Sequence, residues 1–155
     1  MKNTKRITLL AACAALLCAT GLATAGTASA SQESAVNCDK SIWDSCLTLY
    51  YNSSQKGSHT AFFGSDGNFS DNKFLSSGTG QGQVVKNNAA SANVWGIPPY
   101  YPEFAVIYYN SNYAGSCDAI SVNWYTDRLH NTYNENASWQ IAGNPNVWAG
   151  CYIFS

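Results

Sequence analysis

The chain has 155 residues, a formal net charge of −1, 14% aromatic and only 11% charged side chains. An ordinary soluble domain is about 25% charged, so a coiled coil, a charged disordered tail and a basic nucleic-acid-binding stripe are excluded, since each is built from many charges. The length admits one domain or two small ones.

At the amino end, Lys2, Lys5 and Arg6 precede an apolar run over 7–19, and Ala28-Ser29-Ala30 offers small side chains at a cleavage position. The pattern predicts a secretory signal peptide over 1–30, cut after Ala30. A membrane anchor needs about 20 apolar residues, whereas Thr20, Gly21 and Thr24 break this run early. A lipoprotein signal ending at Cys13 leaves an apolar stretch of 7–10 only. Removal of the leader leaves 31–155, 125 residues with five basic and nine acidic side chains and a net charge of −4. The expected product is secreted, extracellular and monomeric, with no membrane segment and no nucleic-acid partner.

Cys13 and Cys18 leave with the leader; Cys38, Cys46, Cys117 and Cys151 stay. An even count in an exported chain predicts two disulfides. Three pairings are open, and proximity in sequence ranks first Cys38 with Cys46 and Cys117 with Cys151, worth about 2.6 and about 3.8 kcal/mol by loop entropy. A zinc site would want C-x-x-C or paired histidine spacing, which is missing.

The next segment begins a repeat. Residues 47–58 recur at 105–116, 58 positions on, with six of twelve residues identical. Leu47, Leu49 and Tyr51 alternate with Thr48 and Tyr50, and Ala105, Ile107 and Tyr109 with Val106 and Tyr108, which predicts strands. Further strand candidates are 60–63, 83–86, 119–122, 138–141 and 147–154, separated by turn-rich stretches at 64–67 and 76–82. Residues 87–91 recur at 134–138, 47 positions on. Two copies with unequal middles predict two similar units and exclude a solenoid, which needs about three repeats or more. Between them, Pro98, Pro99 and Pro102 stiffen a linker over 95–103.

Tyr108, Tyr113 and Gly115, echoed by Tyr50 and Gly57, resemble the folded-hairpin signature of the βγ-crystallin Greek key. Asn87-Asn88-x-x-Ser91 and Asn134-Glu135-x-x-Ser138 resemble that fold's second signature. The mature chain is similar to secreted actinobacterial metallopeptidase inhibitors of this fold. The resemblance implies an all-β, βγ-crystallin-like domain of two Greek keys in a small sandwich: a first key at about 47–94, the linker 95–103, a second key at about 104–141 and a terminal strand within 142–155. It also implies a noncatalytic inhibitor of an extracellular peptidase, laying a stiff loop into the enzyme's cleft. In that family the reactive loop is a short cysteine-bridged loop of the second key, which this sequence lacks. The remaining loop candidates are 39–45 with Trp43, and Ile97, Pro98, Pro99, Tyr100 and Tyr101; both also read as a plain staple and connector.

Calcium is a further implication, with no cofactor required: many domains of this fold bind it through Asn/Asp-Asn/Asp-x-x-Ser/Thr-Ser. Asn87, Asn88 and Ser91, with Asn134, Glu135 and Ser138, supply oxygen ligands of the type that the ion prefers. Both copies lack the final serine, having Ala92 and Trp139, and Glu135 is the only carboxylate of the six.

Catalysis finds little support. His59 and His130 stand in no metal-binding pattern, and Gly57-Ser58-His59 lacks a G-x-S-x-G context. A glycan- or cell-wall-binding module is the rival reading, because all 21 aromatic residues lie in the mature chain. Tyr51, Phe62, Phe74, Tyr109, Trp139 and Ile141 are expected in the core, and Trp95, Tyr100, Tyr101 and Trp148 at the surface.

Overall fold

The repeated segments fold as two matching hairpins in the computed structural model, which describes residues 32–39, 45–96, 103–143 and 149–155. β2 (Cys46–Asn52) pairs antiparallel with β3 (Lys56–Phe63), and β5 (Phe104–Asn110) with β6 (Ala114–Ser121), β1 being Gln32–Ser34 and β4 Ser91–Trp95. The register slips at the same point in each, between Tyr50 and Asn52 and between Tyr108 and Asn110. Each hairpin then turns through two left-handed residues, Ser54 and Gln55 or Asn112 and Tyr113. Gly57 and Gly115 follow at φ 77° and 86°. A Cβ on Gly57 would lie 2.9 Å from the Thr79 carbonyl oxygen, and one on Gly115 2.8 Å from Asn110 Nδ2. Conformation and space therefore both call for glycine.

The strands form two sheets, ordered β1-β3-β2-β4-β7 and β8-β5-β6-β9, where β7 is Trp124–Thr126, β8 Ser138–Ala142 and β9 Cys151–Phe154. All pairings are antiparallel except β9 with β6. Each key lends a segment to the other's sheet. β7 pairs with β4, and in return Asp66 exchanges two backbone hydrogen bonds with Trp139 of β8, at 2.9 and 2.8 Å. The exchange repeats around the pseudo-dyad: Ser54 N–H donates to Asp127 O and Asn112 N–H to Gly67 O, both at 2.8 Å. One core spans the interface, joining Leu47, Phe62, Phe74 and Val94 to Ile107, Ile120, Leu129 and Trp139. At about 1.5–3 kcal/mol for each large apolar side chain buried, this shared core stabilises both sheets together. Cys38 bonds to Cys46, and Cys117 to Cys151.

Several expectations need correction. Thr48, Tyr50, Val106 and Tyr108 alternate with the core residues yet are buried too. Over the first sheet the amino-terminal segment covers them: Cys38 N–H donates to Thr48 Oγ1 at 3.2 Å, the Thr48 hydroxyl to Asn37 Oδ1 at 2.7 Å, and the Asn37 amide to the Tyr50 hydroxyl. On the second sheet Val106 and Tyr108 cluster with Phe104, Cys117 and Ala119. Tyr109, expected inside, is 43% exposed, although Tyr51 in the equivalent bulge of the first hairpin packs edge-on against Phe74. Trp95 lies at the end of β4, packed against the Cys38–Cys46 cluster instead of standing free. Residues 83–86 form only a bridge between Lys73 and Val84; the Asn88 amide takes the carbonyls of Val84 and Lys86, which a ladder would have used. Tyr100, Tyr101 and Trp148, and the cleavage position at Ala30, lie outside the described residues.

Candidate functional site

Of the six residues expected at calcium, Asn87, Asn88, Asn134 and Glu135 sit in the two turns that close the keys, and Ser91 and Ser138 open the strands that follow, β4 and β8. Asn87 and Asn134 take left-handed φ values of 62° and 55°. Asn87 N–H donates to Asn136 O at 2.8 Å and Asn134 N–H to Ala89 O at 2.9 Å, so the turns face each other. Asn136, which sequence reading passed over, is fully buried; its amide donates to Ala89 O and Thr132 O at 2.7 and 3.0 Å, and its Oδ1 accepts from Ala89 N–H at 3.3 Å. The serines point the other way, into the hairpins. Ser91 Oγ accepts from Gln55 N–H at 3.0 Å and donates to Asn52 O at 2.6 Å. Ser138 Oγ accepts from Tyr113 N–H at 3.0 Å and donates to Asn110 O at 2.7 Å. Glu135 N–H donates to Thr132 O. The structure thus brings the turns together but commits both hydroxyls and the Asn88 amide to the backbone. Among the described residues no three His, Cys, Asp or Glu side chains come together. Trp43, Ile97, Pro98, Pro99, Tyr100 and Tyr101 lie outside the described residues.

His59 has a structural setting. Its Nε2 lies 3.0 Å from the Ala35 carbonyl, which can only accept, so Nε2 carries the proton and Nδ1 accepts from the Ser76 hydroxyl at 3.0 Å. Burial lowers its pKa below the usual 6.5. Burial likewise raises the phenols of Tyr50, Tyr108 and Tyr113 above 10.0.

A different surface gathers exposed rings. Trp124 and Tyr125 on the edge strand β7 are 46% and 50% exposed. They stack with ring centroids 6.4 Å apart and planes at 28°. Asn123, at φ 64°, turns the chain tightly into β7, and its N–H donates to Val94 O at 2.8 Å.

Beyond β7 the chain is anchored to β6 by Asp118. This buried carboxylate accepts from the N–H groups of His130, Asn131 and Thr132 at 3.1, 3.0 and 2.9 Å and from the Thr132 hydroxyl at 2.7 Å. Asn131 Nδ2 donates to Cys117 O at 2.9 Å and to Gly150 O at 3.0 Å, tying this loop to the turn before β9. The Cys117–Cys151 bond and the parallel pairing hold β9 beside β6. Tyr152 therefore lies flat on His130, centroids 4.1 Å apart and planes at 14°, with Phe154 4.9 Å further along. Arg128 lies over the Tyr133 ring at 4.2 Å. Arg128, Leu129, His130, Tyr152 and Phe154 line an open pocket of about 380 Å³. Sequence reading missed both features. The available signal was two adjacent aromatics followed closely by an arginine and a histidine in a chain with few charges.

No protein-family model and no curated protein matches the sequence. Solved structures do resemble it. One, from work on the evolution of the eye-lens βγ-crystallin domain fold, is 12% identical with a TM-score of 0.51, covering 74% of this chain and 99% of that one. A βγ-crystallin domain from Flavobacterium johnsoniae is 16% identical, with a TM-score of 0.44 and 63% and 94% coverage. The N-terminal domain of protein S is 20% identical, with a TM-score of 0.41 and 63% and 96% coverage. The fold is βγ-crystallin-like and all-β, two Greek keys in a small sandwich. At these identities the likeness concerns the fold alone.

Proposed function

We propose that the mature chain is an exported, noncatalytic module that binds polysaccharide through Trp124 and Tyr125. The observation that carries this reading is a stacked indole and phenol, each about half exposed, on an edge strand. Rings of this kind present an apolar face with a polar edge, which suits the C–H face and hydroxyl rim of a sugar. Export is supported by the leader pattern of 1–30 and by two disulfides, which persist in oxidising compartments. The noncatalytic reading is supported by the polar groups most suited to chemistry. His59 is held between Ala35 and Ser76, and Asp118 spends its oxygens on four donors. The peptidase-inhibitor function implied by resemblance depends on loops outside the described residues, and the aromatic face favours a glycan. Calcium is not required.

The test is co-sedimentation of the mature protein with insoluble cell-wall polysaccharide. Wild type is expected in the pellet, and the Trp124→Ala/Tyr125→Ala variant largely in the supernatant. Wild type that stays in solution refutes the reading. Stoichiometric inactivation of a thermolysin-like metallopeptidase by the same preparation would replace it with inhibition.

A further inference from the structure

We infer that the pocket beside β9 reads a carboxylate on the bound sugar, which makes the preferred ligand an acidic polysaccharide. The inference rests on the carbohydrate reading for the nature of the polymer, but on different residues. Arg128 is the only arginine after residue 30. Arg128 lines the pocket, and its guanidinium, steadied by the Tyr133 ring, pairs with no carboxylate among the described residues. Its planar donor fork matches a carboxylate in bidentate geometry. A single cation suits a singly charged carboxylate better than a dianionic phosphate, all the more in a mature chain of net charge −4.

The neighbouring groups fit a sugar. Asn131 donates through Nδ2 to two carbonyls, which fixes its Oδ1 as an acceptor. His130 Nδ1, 2.8 Å from that oxygen, must then carry the proton. Nε2 is then the ring nitrogen left to meet a ligand hydroxyl, while Tyr152 and Phe154 line the pocket beside it.

The pocket is also built in advance. β9 stands outside the repeated keys, and both Tyr152 and Ile153 are exposed, at 44% and 39%. Yet a disulfide, a parallel ladder and the Asp118 and Asn131 bonds all hold the walls in place. A preformed wall lowers the ordering cost of binding. β7 and β9 are in contact, and Arg128 follows Tyr125 by three positions. A polymer stacked on Trp124 and Tyr125 can thus continue toward the guanidinium.

The experiment titrates isotope-labelled mature protein with a galacturonate trisaccharide, its methyl ester and inorganic phosphate, followed by NMR. The acid form should shift the Arg128, His130 and Tyr152 signals and bind about tenfold more tightly than the ester, the effect of one charge-assisted pair. Arg128→Gln should abolish that preference, bringing acid and ester to the same affinity. Trp124→Ala/Tyr125→Ala should weaken acid and ester alike. Equal binding of acid and ester, a preference that survives Arg128→Gln, stronger competition by phosphate, or no binding of either sugar overturns the inference. Uronate binding at Arg128 without retention on insoluble polymer would overturn the aromatic-face reading alone. Retention through Trp124 and Tyr125 with no acid preference would overturn the pocket alone.

Discussion

Ser91 and Ser138 occupy equivalent places and make equivalent bonds, each accepting from a hairpin N–H and donating to a hairpin carbonyl. Replacing either by alanine leaves a backbone donor and acceptor without partners near the core, a loss of about 1–3 kcal/mol. Ser91→Ala and Ser138→Ala should therefore lower the urea midpoint by similar amounts. Calcium that raises the wild-type midpoint but not that of either variant would show that the hydroxyl serves an ion instead. The repeat made the equivalence of the two serines legible. It did not reveal their role, because Asn-x-x-x-Ser suits both a cation and a pinned hairpin, and only the partner atoms decide between them. Tyr51 and Tyr109 make the same point. They are equivalent in sequence, but Tyr51 packs edge-on against Phe74 at 5.5 Å and Tyr109 finds no such cover.

At the level of elements, β2 and β5 were readable because alternation and repetition coincide there, while β3, β6 and β8 were readable in part, over 60–63, 119–122 and 138–141. β4 and β7 were not. Ser91-Ala-Asn-Val-Trp95 is built mostly of small residues and β7 has three; β4 is a strand because β2 of its own key pairs with it along its whole length, and β7 because β4 of the other key offers it an edge. β9 depends on a different tether. The Cys117–Cys151 bond closes a separation of 34 residues, and its loss in Cys117→Ser/Cys151→Ser should cost up to about 3.8 kcal/mol by loop entropy. Amide exchange should rise first in 152–154, and the Tyr152 ring should leave His130. Unchanged protection in β9 would show that the parallel ladder alone suffices.

For the whole molecule, the shifted side chains frame a pH window. The His59 pKa is lowered by burial, so the unfolded chain takes up its proton first. Its contribution is complete above 6.5 and is lost as pH falls through the folded value. Tyr50, Tyr108 and Tyr113 are raised by burial. Their contribution is complete below 10.0 and is lost as pH rises through the folded values. Urea midpoints at about pH 5.5, 8 and 10.5 should peak at the middle value. His59→Gln, whose amide can still donate to Ala35 O, should show a smaller drop on the acid side; an identical drop would exclude His59 as a cause.

From the sequence by itself came the strand repeat, the turn chemistry and the cysteine count, which are written in residue order and in short-range periodicity; the two-key fold came from the resemblance of its signature residues. The interlocking of the keys, the covering of both sheet faces and the gathering of Arg128, His130 and Tyr152 were decided by tertiary structure. Each is a matter of what segments far apart in the chain place against one another, and no local pattern encodes which ring is covered and which is left to meet a ligand.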